Sequence, residues 1–312
     1  MAAPAIYDVL IIGAGPAGLS TALGLARQTY SALVFDSKQY RNAPADRMHN
    51  VLSWDHKPPA EFRAAARENI VSRYKTIDFK DATIVSAAKR ADGLFELIDQ
   101  EQNKYHGKKL ALATGATDIF PDIKGFGDLW GKLIFHCLFC HGYEERGASS
   151  VGILAIGALK LPAMLLHVAR MTAPLAERIT IYSHGDEDLT TQLKDEFEGK
   201  PLTIESRKIT SVERKGESNV IVQLEDGEIR EEGFLASAPS VKVNGPFHEQ
   251  LGLDVDPTGF IKVNPPFNEA SVPGVFAMGD CGTPVKTVCQ AMTMGSFGAA
   301  GLVSQLSAMG KL

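Results

Sequence analysis

YDVLIIGAGPAGLSTALGLARQTYSALVFD, residues 7 to 36, decides the fold. DVLII is an unbroken apolar run of the kind a strand buried on both faces requires. GAGPAG follows at once, then an Ala/Leu-rich segment that reads as a helix to about Gln28, and a second apolar run, ALVF, ends on Asp36. Strand, glycine loop, helix, strand and acid in that order form a βαβ unit that binds a dinucleotide. In the loop Gly13, Gly15, Pro16, Ala17, Gly18, each glycine has its own task. Gly13 permits the tight turn, Gly15 lets the backbone approach a pyrophosphate, and Gly18 lets the helix lie close to the strand, while the helix N-terminus offers its N–H groups to the anion. Asp36 is placed to accept hydrogen bonds from ribose hydroxyls.

Working outward, a chain of 312 residues fits two domains at roughly 100–200 residues each. Net charge is -5 with 22% charged residues, and no Lys/Arg run is present that could neutralise a row of phosphates, so no nucleic-acid partner is expected. The N-terminal MAAPAIYDVLIIG lacks a basic leader segment, and no uninterrupted apolar run approaches a bilayer-spanning length. The expectation is a cytoplasmic protein with no membrane association.

FHCLFCHGYEERG, residues 135 to 147, holds two of the four cysteines. CxxC spacing suits a c-type haem, half of a zinc site, or a redox disulfide. A haem needs an export route that the N-terminus does not suggest, and a structural zinc site wants four ligands, whereas Cys281 and Cys289 stand far downstream. No metal is therefore expected. Inside a cell a CxxC pair is more often catalytic than structural, but two buried, reduced thiols with no role also fit. Cys281 and Cys289 read as core residues. Trp54, Trp130 and the helical LPAMLLHVARM suit either a pocket for an apolar substrate or the core.

Two further segments bear on the cofactor. SVPGVFAMGDCG, residues 271 to 282, is a short strand running into Gly279-Asp280, with a helix expected from about Thr287 to Met309, and LALATGA spans residues 110 to 116. These resemble the second FAD motif and the ATG segment of the pyridine nucleotide-disulfide oxidoreductases. The resemblance implies FAD as the cofactor, with Ser37, Arg41, Asn50, Thr114, Gly115, Gly279, Asp280, Gln290 and Ala291 lining its site besides the first loop and Asp36.

Between them lies a second α/β stretch: SSVGILAIG (149 to 157), a helical run from about Lys160 to Met171, RITIYSHG (178 to 185), and strands at 202–205, 209–214 and 218–224 before a turn at Asp226-Gly227. The expected fold class is α/β with two Rossmann-like three-layer domains. The resemblance implies that residues 1–116 and 243–312 make a discontinuous FAD-binding domain and that 117–242 is an inserted, degenerate NADPH-type domain carrying the CxxC pair. In the inserted loop Ala155, Gly157 and Lys160 stand where a GxGxxG would place its glycines. The next strand ends in Tyr182-Ser183-His184-Gly185-Asp186, and Asp186 repels a 2′-phosphate.

From Tyr7 to about Leu306 the chain resembles the low-molecular-weight thioredoxin reductases, and CLFCHGYE with the eroded second loop is most similar to the gliotoxin- and holomycin-type dithiol oxidases. RMHNVLSWDHKPPAEFRAAAREN, residues 47 to 69, matches the pattern of the latter, with Pro59 opening a helix to about Tyr74. Where thioredoxin reductases carry an aspartate after the second cysteine, this chain has His141. The resemblance implies a homodimer and a redox disulfide facing the flavin, with Cys140 the inner sulfur and Cys137 the one that exchanges with substrate. His141 is the candidate base, since an imidazole can take a thiol's proton or pair with a thiolate; His136 is a second candidate that suits packing equally well. The implied reaction oxidises a small-molecule dithiol of the epipolythiodioxopiperazine kind, with O2 as acceptor and H2O2 as product; the alternative is an NADPH-dependent thioredoxin or disulfide reductase.

Overall fold

A computed structural model describes residues 5–310. The chain divides into two units: one comprises Met1–Ala43, Ala60–Thr117 and Lys242–Leu312, the other Pro44–Pro59 and Asp118–Val241.

In the first unit the strand Ile6–Ile12 lies between Ala32–Asp36 and Lys104–Leu112, parallel to both, with Ile11 beside Val34 on one side and Ala111 on the other. Ile77–Asp81 extends the parallel sheet beyond Ala32–Asp36. On the far side Lys104–Leu112 serves two neighbours: its first half pairs antiparallel with Phe95–Asp99, and its last residues pair parallel with Val275–Ala277. Val9, Leu10 and Ile11 are wholly buried, which explains why this strand is apolar without alternation. The helix Pro16–Arg27 covers the sheet with Leu19, Ala22, Leu25 and Ala26, and its Pro16 occupies the first turn, where a missing N–H removes no helical bond. The last helix, Val288–Ser307, contributes Ala291, Met294, Leu302 and Leu306 to the same core. Thr287 caps it, its hydroxyl accepting from the Gln290 N–H at 3.1 Å, an arrangement worth about 0.5–2 kcal/mol.

The second unit has its own parallel sheet, ordered Thr203–Glu205, Ile179–Tyr182, Val151–Leu154, Phe234–Ser237, Ile134–Phe135. An antiparallel ribbon of Ile209–Lys215, Asn219–Leu224 and Ile229–Glu232 follows in sequence before the fourth of these strands. Leu165, Leu189 and Leu193 of the helices Pro162–Thr172 and Glu187–Glu196 bury against the sheet.

The α/β class and the expected elements are present, but the division differs from the expected one at residues 44–59. These leave the first stretch of chain and join the second unit. Met48 and Val51 are buried there, and His49 reaches the main chain of Cys140, contacts that no local sequence pattern announces. Asn50, expected among the FAD-site residues, travels with this segment and is exposed. Cys281 is core, but Cys289 is exposed, a correction to the expectation that both are buried. Trp130 resolves to the core side of its two readings, packed with Phe126 and Leu133. No helix among the described residues is long and apolar enough to cross a membrane.

Candidate active site

The cysteine pair sits where a strand gives way to a single helical turn. Ile134–Phe135 is an edge strand, Cys137 is extended, and Leu138–His141 turns, with the N–H groups of Cys140 and His141 both donating to the Cys137 carbonyl, at 3.1 and 3.2 Å. Buried Leu138 anchors the turn, whereas Phe139 is 72% exposed. The turn brings the two Cα atoms to 5.2 Å, and Cys137 and Cys140 are joined as a disulfide. Both are half-buried.

Two histidines flank the pair in different surroundings. His136 is exposed and stacks on Trp130 with ring centroids 5.8 Å apart. His141 stacks on Phe135 at 5.0 Å and meets the edge of the His49 ring at 5.6 Å. Burial pushes the His141 imidazole down to about 4, His49 adds to the effect and Glu144 opposes it. His141 is therefore neutral near pH 7 and has a nitrogen lone pair to offer. A thiolate beside it would raise its affinity for a proton.

His49 was not singled out by the sequence reading, although its segment was. It stands 91 residues before Cys140, yet its Nδ1 lies 2.5 Å from the Cys140 carbonyl oxygen. The loop that carries it is closed by paired backbone bonds, Met48 N–H to the Lys57 carbonyl at 2.9 Å and His56 N–H to the Met48 carbonyl at 3.0 Å. Asn50, Ser53 and His56 in this loop all adopt the left-handed region that non-glycine residues seldom enter.

The second unit's nucleotide loop departs from a phosphate cradle. After Val151–Leu154 the chain passes through Ala155 and a 3-10 turn, Gly157–Lys160, before Pro162 opens the helix. Lys160 Nζ is held by Asp186 Oδ2 at 2.8 Å. The other Asp186 oxygen caps the following helix by accepting from the Leu189 N–H at 3.0 Å, with Glu187 and Asp188 in its first turn. The hydrogen bond from Lys160 keeps the Asp186 carboxyl below its usual range, so it stays charged. Lys160 is thus taken up by Asp186, and a phosphate at this strand end would also face Glu187 and Asp188.

The first unit presents the opposite picture. Gly13 has φ +110°, and a Cβ there would stand 2.2 Å from the Ala113 carbonyl oxygen; a Cβ on Gly18 would stand 1.9 Å from the Gly13 carbonyl oxygen. Glycine is required at both. A Cβ on Gly15 would instead enter open space, the room a pyrophosphate needs, and no side chain caps the helix N-terminus that begins there. Pro16 is half-buried; Ala17 is buried. Asp36 is buried, and its carboxylate already accepts from the Tyr40 hydroxyl at 2.7 and 2.8 Å, from the Lys38 N–H at 2.9 Å and from Lys38 Nζ at 2.9 Å. A ribose hydroxyl would join an acceptor that is already held in place. Ser37 beside it is exposed.

Two distant stretches of the first unit meet past the carboxyl ends of its parallel strands, Arg41 after Ala32–Asp36 and Asp280 after Val275–Ala277. Arg41 Nη1 lies 3.7 Å from Asp280 Oδ2, and both side chains are largely buried. Thr114 and Gly115 are fixed by Asn244, whose side-chain amide donates to the Thr114 carbonyl at 2.9 Å and whose N–H donates to the Gly115 carbonyl at 3.1 Å. Gly279 and Ala291 are buried and Gln290 half-buried at the start of the last helix. Asn50 is the one expected FAD-site residue that lies in the other unit.

Along most of its length the chain is similar to known proteins. The pyridine nucleotide-disulphide oxidoreductase family model matches residues 7–295. The chain is 44% identical over 310 residues to thioredoxin reductase aclD of Aspergillus oryzae, covering 98% of each. It is 46% identical over 293 residues to thioredoxin reductase tcpT of Claviceps purpurea, covering 93% of this chain and 91% of that one. Among solved structures, an oxidoreductase from Agrobacterium tumefaciens is similar with a TM-score of 0.84 at 29% identity, covering 97% of this chain and 99% of that one.

Proposed function

Since the chain belongs to the pyridine nucleotide-disulphide oxidoreductase family, and is a flavin-dependent disulfide oxidoreductase with FAD as its cofactor, we propose that it oxidises a small-molecule dithiol to a disulfide and delivers the electrons to O2. The observation that carries this reading is the Lys160–Asp186 pair with its neighbouring acids, at the strand end where a 2′-phosphate would otherwise be bound. An enzyme with a redox disulfide and a flavin but no nicotinamide donor has to draw its electrons from a thiol.

FAD would be held by the loop from Gly13 to Gly18, by Asp36 and by the Arg41–Asp280 region. When bound it supplies the two-electron acceptor that restores the disulfide and passes the electrons to O2, yielding H2O2. The chain's own residues perform the thiol chemistry. A substrate thiolate attacks Cys137 Sγ, the Cys137–Cys140 bond breaks, and Cys140 is left as a thiolate. The second substrate thiol then attacks the mixed disulfide and releases Cys137. The substrate departs as a disulfide, two electrons poorer, and the enzyme holds those electrons as two thiols. A His141 ring nitrogen accepts the proton given up by the attacking thiol. The gliotoxin-type resemblance supports an epipolythiodioxopiperazine-like substrate and a homodimer.

Oxygen uptake by the FAD-loaded protein with dithiothreitol, run with and without NADPH, tests this. Uptake that needs no NADPH is expected. Rapid bleaching of the flavin band by NADPH under anaerobic conditions would instead support the second reading, an NADPH-dependent thioredoxin or disulfide reductase, which the relatives' names favour.

A further inference from the structure

No second CxxC or HxxxH pair accompanies Cys137 and Cys140, so sequence spacing predicts no metal. Within the second unit the fold gathers a different set. His49, His56 and Glu144 each offer one ligand atom, and these atoms all lie within 4.8 Å of one another. His49 and His56 come from the same closed loop, and Glu144 from the turn directly after the CxxC pair.

The proton positions make this convergence informative. The Cys140 carbonyl can only accept, so His49 Nδ1 carries a proton, and in the neutral ring Nε2 is then a bare acceptor. That Nε2 is buried, hydrogen-bonded to nothing, and 3.5 Å from Glu144 Oε1, which is another acceptor. His56 repeats the pattern. Its Nε2 lies 3.3 Å from Asp55 Oδ2, its Nδ1 lies 4.0 Å from the same Glu144 oxygen, and Asp55 is itself fixed by the Asn50 N–H at 2.7 Å. One cation placed among these three atoms would bridge two imidazole nitrogens and a carboxylate oxygen that are already close together.

We propose that His49, His56 and Glu144 bind a divalent transition cation, zinc being the representative one. Two imidazoles and a carboxylate form a donor set that suits zinc, and bonds of about 2.0–2.2 Å to each would draw the three atoms slightly closer than they stand now. Both histidines already have the outer partner that metal-bound imidazoles characteristically have, a backbone carbonyl for His49 and a carboxylate for His56, which turns the remaining nitrogen toward the ion. His56 is 58% and Glu144 35% exposed, so the ion can enter from solvent and keep one position for water or an exogenous thiolate. Bound there, it would tie the 44–59 segment to the backbone of the redox turn through His49. The site does not depend on which acceptor takes the enzyme's electrons.

The experiment is zinc binding to the FAD-loaded protein in its disulfide form, in competition with a chromophoric chelator. A Cys289→Ser background removes the exposed thiol as a rival ligand. One zinc per chain is expected, with affinity at least 10-fold weaker in His56→Gln and in Glu144→Gln. His56 is exposed, so its variant should fold; unchanged FAD content and thermal midpoint check this. Absence of zinc binding to the disulfide form, or equal affinity in folded His56→Gln, overturns the proposal.

Discussion

His49 donates a hydrogen bond to the main-chain carbonyl of Cys140, tying a loop in the first quarter of the chain to the second cysteine of the disulfide. Replacing His49 with Ala leaves that half-buried carbonyl without its partner. A loss of about 0.5–1.5 kcal/mol is expected for one such bond, more if water cannot enter. Denaturant unfolding of metal-free protein measures it, and an unchanged midpoint would show the contact contributes nothing in solution.

The two cysteines should behave differently when each is replaced by Ser. With Cys137 gone, Cys140 remains as a lone thiolate, and a long-wavelength charge-transfer band is expected in the flavin spectrum. With Cys140 gone, FAD should stay bound, but dithiol should no longer reduce it. A band in Cys140→Ser in place of Cys137→Ser would reverse the inner and outer assignments.

His141→Ala should slow dithiol oxidation by about 10²–10⁴-fold, the usual effect of losing a general base, with normal FAD content. A near-normal rate would move the base elsewhere. His136, exposed and stacked on Trp130, is then the next residue to replace.

Asp36→Asn keeps the shape of the carboxylate and removes its charge. Charge-assisted hydrogen bonds to ribose are worth about 1.5–3 kcal/mol, so FAD should dissociate roughly 10- to 100-fold more readily. Equilibrium dialysis of FAD against wild type and variant gives the ratio; equal retention would remove Asp36 from the cofactor site.

Asp99 supplies a pH signature of folding that is independent of the redox site. Burial pushes its carboxyl up, but hydrogen bonds from Tyr105, from the side chain and N–H of Asn103 and from the Glu101 N–H outweigh this and bring it down to about 2. A carboxyl with a folded-state pKa below its unfolded value of about 3.9 contributes stability that is fully present above that value and is lost as pH falls toward 2. The stability gap between wild type and Asp99→Asn should therefore be constant from pH 7 to 5 and shrink between about pH 4 and 2. Urea midpoints across this range check it, and a gap that does not change with pH would exclude the linkage.

What the sequence determined by itself is what short-range chemistry controls. GAGPAG directly after DVLII has few conformations open to it, because glycine alone tolerates the turn at Gly13 and the close approach at Gly18. The CxxC spacing permits a disulfide because one helical turn brings its ends together, and Asp186 beside its helix could be read as an acid where a phosphate would need a base. Tertiary structure alone decided the partners that lie far apart along the chain. It joined Lys160 to Asp186 and Arg41 to Asp280, moved residues 44–59 into the second unit, and brought His49 and His56 up to Glu144 beside Cys140. Such contacts have no period and no fixed spacing. They arise only when separately folded strands and loops are packed, so histidines in the 44–59 segment acquire their surroundings from residues about 90 positions away.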